Sequence, residues 1–150
     1  MNTDNRARTR ALAALVAIAA LALSNVGAAA AAPGGVPAIP LNTEQEVTGS
    51  NTGASGFFSY TISGSQLCYT LQARELSGPA GAAHIHLAPR HTAGPVVIPL
   101  TVGSGTSWTV ETCTTADAGL LAAVAANPRA YYVNVHTAAF PGGEIRGQLK

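Results

Sequence analysis

The segment "AAHIHLAPRH", residues 82–91, holds three of the four histidines of this 150-residue chain, and the fourth, His136, sits in "YYVNVHT". Side chains alternate across a strand, so His84 and His86 share one face while Ala83, Ile85 and Leu87 share the other. Two imidazoles at i and i+2, joined by a third from another strand, make a three-nitrogen platform that copper or zinc would accept. His91, in the loop that follows, would be a fourth ligand. The same parity sends Tyr132, Asn134 and His136 one way and Tyr131, Val133 and Val135 the other. In "GEIRGQL" it leaves Glu144, Arg146 and Gln148 outward and Ile145 and Leu149 inward.

A hairpin around "AAFPGG" would bring those last two segments together. If the His84 strand lies beside it, His84, His86, Asn134, His136, Glu144 and Arg146 collect in one patch. Glu144 would then orient His136 behind the metal, and Arg146 would steer a small anion toward it. A plainer reading stands beside this one. The histidines are partly exposed, hydrogen-bond to Asn134 and Glu144 and fasten the loop "PRHTAGP", while Glu144 and Arg146 form a screened surface pair worth little. No Ser-His-Asp spacing and no carboxylate pair in a cleft is visible, so the residues assign no catalytic group and lean away from an enzyme.

The elements that must position these residues are short and rich in turn residues. "GFFSYTI", "QLCYTLQAREL", "AAHIHLA", "PVVIPLTV", "TSWTVET", "YYVNVHT" and "GEIRGQL" read as strands separated by Gly, Ser and Asn clusters. Pro95 and Pro99 place the fourth of them at an edge or a break. "TTADAGLLAAVAANP" is the one helical segment, capped by Thr114 or Thr115, with Asp117 in its first turn and Asn127-Pro128 as its stop. Seven or so strands with one short helix predict an all-β sandwich or barrel. Cys68 and Cys113 both fall on the parity opposite the apolar residues of their strands. Being the only two cysteines, they predict an outward-facing structural disulfide in an oxidising compartment.

The first 32 residues have the form of a secretory leader: Arg6, Arg8 and Arg10, an apolar run from Ala11 to Leu23, then small residues up to Ala32. Residues 33–40, "PGGVPAIP", read as a Pro/Gly linker, which leaves 41–150 as one domain. Cleavage would remove three of eight basic residues and one of seven acidic ones, so the remaining formal charge is −1. That balance excludes a nucleic-acid-binding surface, and with the leader gone nothing anchors the chain to a membrane. The expectation is a secreted or envelope-associated monomer.

"GPAGAAHIHLAPRHTAGPVVIPL" followed by "YYVNVHTAAFPGGEIRGQL" resembles the CHRD domain, named for its occurrence in chordin and found in bacterial secreted proteins. "LNTEQEVTGS", "GFFSYTI" and "LCYTL" resemble the opening strands of that family, so the likeness runs from Leu41 to Lys150. It implies an immunoglobulin-like sandwich of seven to eight strands, related to that of copper/zinc superoxide dismutase. His84, His86 and His136 match by pattern three copper positions of that relative, whereas no residues complete its zinc site. Ala88 stands where the family has a glycine. The resemblance implies no agreed activity. The leading expectation is a non-enzymatic extracellular module that binds a protein or polysaccharide partner or contributes structurally. A binding module would expose an apolar or aromatic patch around Phe140, unless that ring folds back onto the core. Copper or zinc binding, and superoxide-dismutase-like redox chemistry beyond it, is the alternative.

Overall fold

The computed structural model describes residues 38–150. The leader at 1–32 and all but the end of the linker lie outside the described residues. Eight strands follow in chain order: β1 (Ile39–Asn42), β2 (Ser55–Ser63), β3 (Gln66–Arg74), β4 (Ala80–Leu87), β5 (Val96–Leu100), β6 (Trp108–Thr115), β7 (Tyr131–Thr137) and β8 (Ile145–Gln148). All pairings are antiparallel and the order is β5-β4-β7-β8-β1-β2-β3-β6, one sheet curled into a nearly closed sandwich. The all-β architecture, with a single α-helix among the described residues, is the one the strand count predicts.

Alternation builds the core. Phe58, Tyr60, Leu67, Tyr69, Leu71, Ile85, Val133, Val135 and Ile145 come from the inward parity of five strands, and each is buried. Each fully buried side chain of this size stabilises the fold by about 1.5–3 kcal/mol. β1 begins earlier than the linker reading allowed, because Ile39 and Leu41 are the inward pair of a strand and are each 1 % exposed. Pairing with Phe58 and Gly56 brings both into the apolar interior, which outweighs the extended bias of the prolines around them. β5, with Pro99, is an edge strand as its prolines predict.

The helix α1 (Ala118–Ala126) starts one turn later than expected. Thr114 and Thr115 belong to β6, and Asp117 is the cap, its side chain accepting the Leu120 N–H at 2.8 Å. Strand pairing of Thr114 and Thr115 with Leu67 and Gln66 removes them as caps. Leu121 and Val124, one turn apart, bury the inner face of α1.

Cys68 and Cys113 stand directly opposite each other on β3 and β6 and are bonded, on the outer face as parity predicts. The bridge spans 45 residues. By constraining the unfolded chain, a loop of this length contributes up to about 4 kcal/mol. It also ties the edge strand β6 to its neighbour.

Candidate metal centre

β7 lies between β4 and β8 in register, with His84 opposite Asn134, His86 opposite Tyr132, and Asn134 opposite Arg146. The neighbourhood that the sequence left open is therefore present. His136 is opposite Ala82, one diagonal step from His84, within side-chain reach across antiparallel strands.

The three imidazoles converge. One ring nitrogen from each of His84, His86 and His136 lies within 4.8 Å of the other two. His84 Nδ1 is 3.1 Å from His136 Nε2. Backbone carbonyls fix the other two rings: His86 Nδ1–H donates to Gly94 O at 2.8 Å, and His136 Nδ1–H donates to Pro141 O at 2.9 Å. A carbonyl can only accept, so both Nδ1 atoms carry the proton and each neutral ring keeps its lone pair on Nε2. His86 Nε2 is buried and has no hydrogen-bond partner. His136 Nε2 has only His84 Nδ1. Two of the three rings are thus held by the carbonyl-to-imidazole bond that supports metal-ligating histidines in general. Nitrogens held about 2.0–2.1 Å from one ion lie no more than about 4 Å apart. The His84–His136 pair already meets that spacing.

Gly94 is required for the clamp on His86. A Cβ there would collide with the Leu87 carbonyl, so only glycine lets the loop return onto the end of β4 with its own carbonyl facing His86. The ring of Tyr132 supports His86 from β7, parallel to it within 7° at a centroid distance of 4.8 Å. From β8, the Arg146 guanidinium carbon lies 3.3 Å from the centre of the Tyr132 ring. Tyr132 shares the parity of Asn134 and His136, but its contact with His86 follows only from the strand register.

The profile of the CHRD domain matches residues 38–149 of this sequence, three-quarters of the chain and every element described above. The chain belongs to the CHRD family. No functionally curated protein and no solved structure matches it significantly.

In this CHRD domain the polar face is not a solvated one. Asn134, Arg146, His86 and Gln148 are all buried, because the loops at residues 43–50, 88–95 and 138–144 fold over the strands. Arg146 is not an anion guide. Its guanidinium donates to Thr92 O at 2.9 Å, Pro89 O at 2.8 Å and Gln148 Oε1 at 3.3 Å, which fastens the loop that holds His86. The screened surface pair of Arg146 with Glu144 does not form either. Glu144 turns to the opposite side and accepts from Thr52 Oγ1 at 2.7 Å, Ser77 N–H and Oγ at 2.8 Å each, and Thr137 Oγ1 at 2.7 Å. The reason is Gly143, whose φ of 125° breaks the alternation one residue before Glu144. Glu144 therefore neither hydrogen-bonds nor orients His136, and Pro141 O takes that place.

Asn134 is fully buried next to Glu46 and His86, with neither amide atom in a well-formed hydrogen bond. Glu46, which sequence reading did not single out, is buried with one carboxylate oxygen unpartnered. Burial raises its pKa, against the opposing pull of Asn134 and of the Arg146 charge. His91 stands outside the converging group, exposed in the turn after β4 with a φ of 56°. The expected aromatic patch around Phe140 is also missing, since that ring is half-buried, and the exposed large apolar side chains are Val47, Phe57, Leu87 and Val96.

Desolvation is the largest influence on all three clustered histidines and lowers each pKa from the ordinary 6.5. Mutual repulsion lowers those of His84 and His136 further, while the carbonyl bonds of His86 and His136 partly oppose the shift. The rings stay neutral at neutral pH, the form a metal needs. The sign for stability follows. As pH falls below 6.5 the unfolded chain binds protons that the folded domain refuses, so stability is full above 6.5 and declines below it. Metal-free protein is expected to show three histidine resonances titrating below 6.5 by NMR and a melting temperature that drops between neutral pH and pH 5. A midpoint at or above 6.5 for these three would contradict the partly buried neutral cluster.

Proposed function

We propose that this CHRD domain is a secreted copper-binding module that uses His84 Nδ1, His86 Nε2 and His136 Nε2 as its protein ligands. The observation that carries the reading is the buried, unpartnered Nε2 of His86, on a ring that offers a nitrogen within 4.8 Å of a ring nitrogen of each of His84 and His136. A buried polar atom without a partner costs about 1–3 kcal/mol, and an ion at the convergence point removes that cost. Three neutral imidazoles with no thiolate or carboxylate suit copper, and divalent copper outranks zinc at nitrogen sites generally. Binding displaces one contact only, that of His84 with His136, and moves the remaining proton of His84 to its Nε2. The disulfide and the leader-like N-terminal segment support a role outside the cell.

The reading stops at binding. Redox turnover would also need a guide for the substrate, and Arg146 is committed to loop carbonyls. A docking role for an apolar patch has no particular observation in its favour.

Calorimetric titration of the mature domain with copper(II) and zinc(II), beside His84→Ala/His86→Ala, tests the proposal. One equivalent of copper is expected to bind, with nitrogen couplings in its electron paramagnetic resonance spectrum and no binding of that class in the variant. Absence of a one-to-one event, or an unchanged event in the variant, would leave the histidines as a buried polar cluster that closes the loops over the sheet.

A further inference from the structure

At the end of the sheet where β8 finishes, Arg90, Arg129, Gln148, Leu149 and Lys150 line a cavity of about 330 Å³. Residues 38–150 contain five Lys or Arg and six Asp or Glu. Three of the five cationic side chains line this cavity and none of the six acidic side chains does, the α-carboxylate of Lys150 being the anionic group among the lining residues. A fourth cation, Arg146, lies behind it, hydrogen-bonded to the carbonyl of Pro89 next to Arg90 and to the side chain of Gln148. Arg90 and Arg146 are close enough for the charge of one to disfavour that of the other. Cations gathered in a domain of slight net negative charge repel one another, and a bound anion relieves that repulsion.

The site has a rigid floor. Gln148 Nε2 lies 2.9 Å from Ala88 O, 2.8 Å from Arg129 O and 2.9 Å from Tyr131 O, its two N–H groups shared among the three carbonyls. One buried side chain therefore ties together the three backbone segments that carry or flank the cations. Its other amide atom, Oε1, accepts from Arg146. Gln148 is spent on this framework, while Arg90, Arg129 and Lys150 are exposed at the rim.

We infer that this cavity binds a doubly charged tetrahedral oxyanion of the phosphate or sulfate class. Two guanidinium forks and an ammonium group match such an anion, since arginine pairs with its oxygens in bidentate fashion. The volume falls in the range of small-ligand sites, so it admits the anion free or carried on a small molecule. The residues and the chemistry are independent of the histidine cluster, so this inference stands or falls apart from copper binding.

The test is an NMR titration of metal-free, isotope-labelled domain at low ionic strength with glucose 6-phosphate, inorganic phosphate and, as a control, glucose. Glucose 6-phosphate is expected to shift the amides of Arg90, Arg129, Leu149 and Lys150 saturably. The affinity should fall at least about tenfold in Arg90→Gln/Arg129→Gln, both being exposed positions whose replacement leaves the melting temperature unchanged. Saturable binding of glucose 6-phosphate or of inorganic phosphate supports the anion site, and the tighter of the two identifies its source as a carried or a bare anion. No saturable shifts at these residues, shifts equally caused by glucose, or an affinity indifferent to the two substitutions would overturn the anion site altogether.

Discussion

His86→Ala is expected to weaken copper binding by more than about a hundredfold while His91→Ala leaves it within about twofold. The size follows from what is removed. Loss of a residue that merely supports a ligand costs about 10–100-fold in affinity, and His86 is proposed as a ligand itself. Its Nδ1 is anchored to Gly94 O and its ring is stacked on Tyr132, so no other side chain can swing in to replace its buried Nε2. His91 sits exposed in its own turn, outside the converging group. Calorimetry on the two single variants separates the three-histidine centre from a diffuse set of surface histidines. Equal losses in both, or a loss in His91→Ala alone, would discard the centre as drawn. Tyr132→Phe keeps the stacking surface and is expected to retain affinity.

Glu144→Ala is expected to destabilise the domain by about 1.5–3 kcal/mol, the net worth of hydrogen bonds to a charged group. That corresponds to a drop of roughly 5–15 °C in melting temperature for a domain of this size. The carboxylate is 0 % exposed and accepts four hydrogen bonds, from residues far apart in the chain: Thr52, Ser77 and Thr137. Alanine would leave the Ser77 N–H and the buried Thr137 hydroxyl without their acceptor. Glu144→Gln keeps the volume but brings an NH₂ group toward donors, so a smaller loss is expected.

The same network sets the acid behaviour of Glu144. Burial would raise its pKa, and the four hydrogen bonds outweigh that and hold it below the ordinary 4.5. Stability from this group is present above 4.5 and lost as pH falls below it, and Glu144→Ala removes that part of the acid response. Denaturant melts of wild type and variant at pH 7 and pH 4 check both points. A loss under about 1 kcal/mol at pH 7 would show that the four donors find other partners.

Much of the site follows from parity along single strands. The alternation of "HIH" against Ala83 and Ile85, and of Tyr132, Asn134 and His136 against three inward apolar residues, assigns each histidine to the polar face without further information. The inward expectation fails at Leu87, which is exposed beyond the register shift between Ile85 and His86. Parity likewise puts Cys68 and Cys113 on the outer face, and their number makes them a pair. The misplaced helix start and the early β1 have a different cause. Thr114, Ile39 and Pro40 could each serve two local roles, and contacts with distant strands chose between them.

The sequence by itself thus determined the fold class, the disulfide and the face on which each candidate ligand lies, because these depend on local alternation and composition. Only the tertiary structure decided that β4 lies beside β7, that loops bury the polar face, and that the carbonyls of Gly94 and Pro141 hold the imidazoles. It also decided that Arg146 clamps a loop, that Glu144 turns away at Gly143, and that Arg90, Arg129 and Lys150 meet. These outcomes depend on backbone atoms, which are alike in every residue, and on pairings between segments tens of residues apart. Neither leaves a mark in the pattern of side chains along one strand.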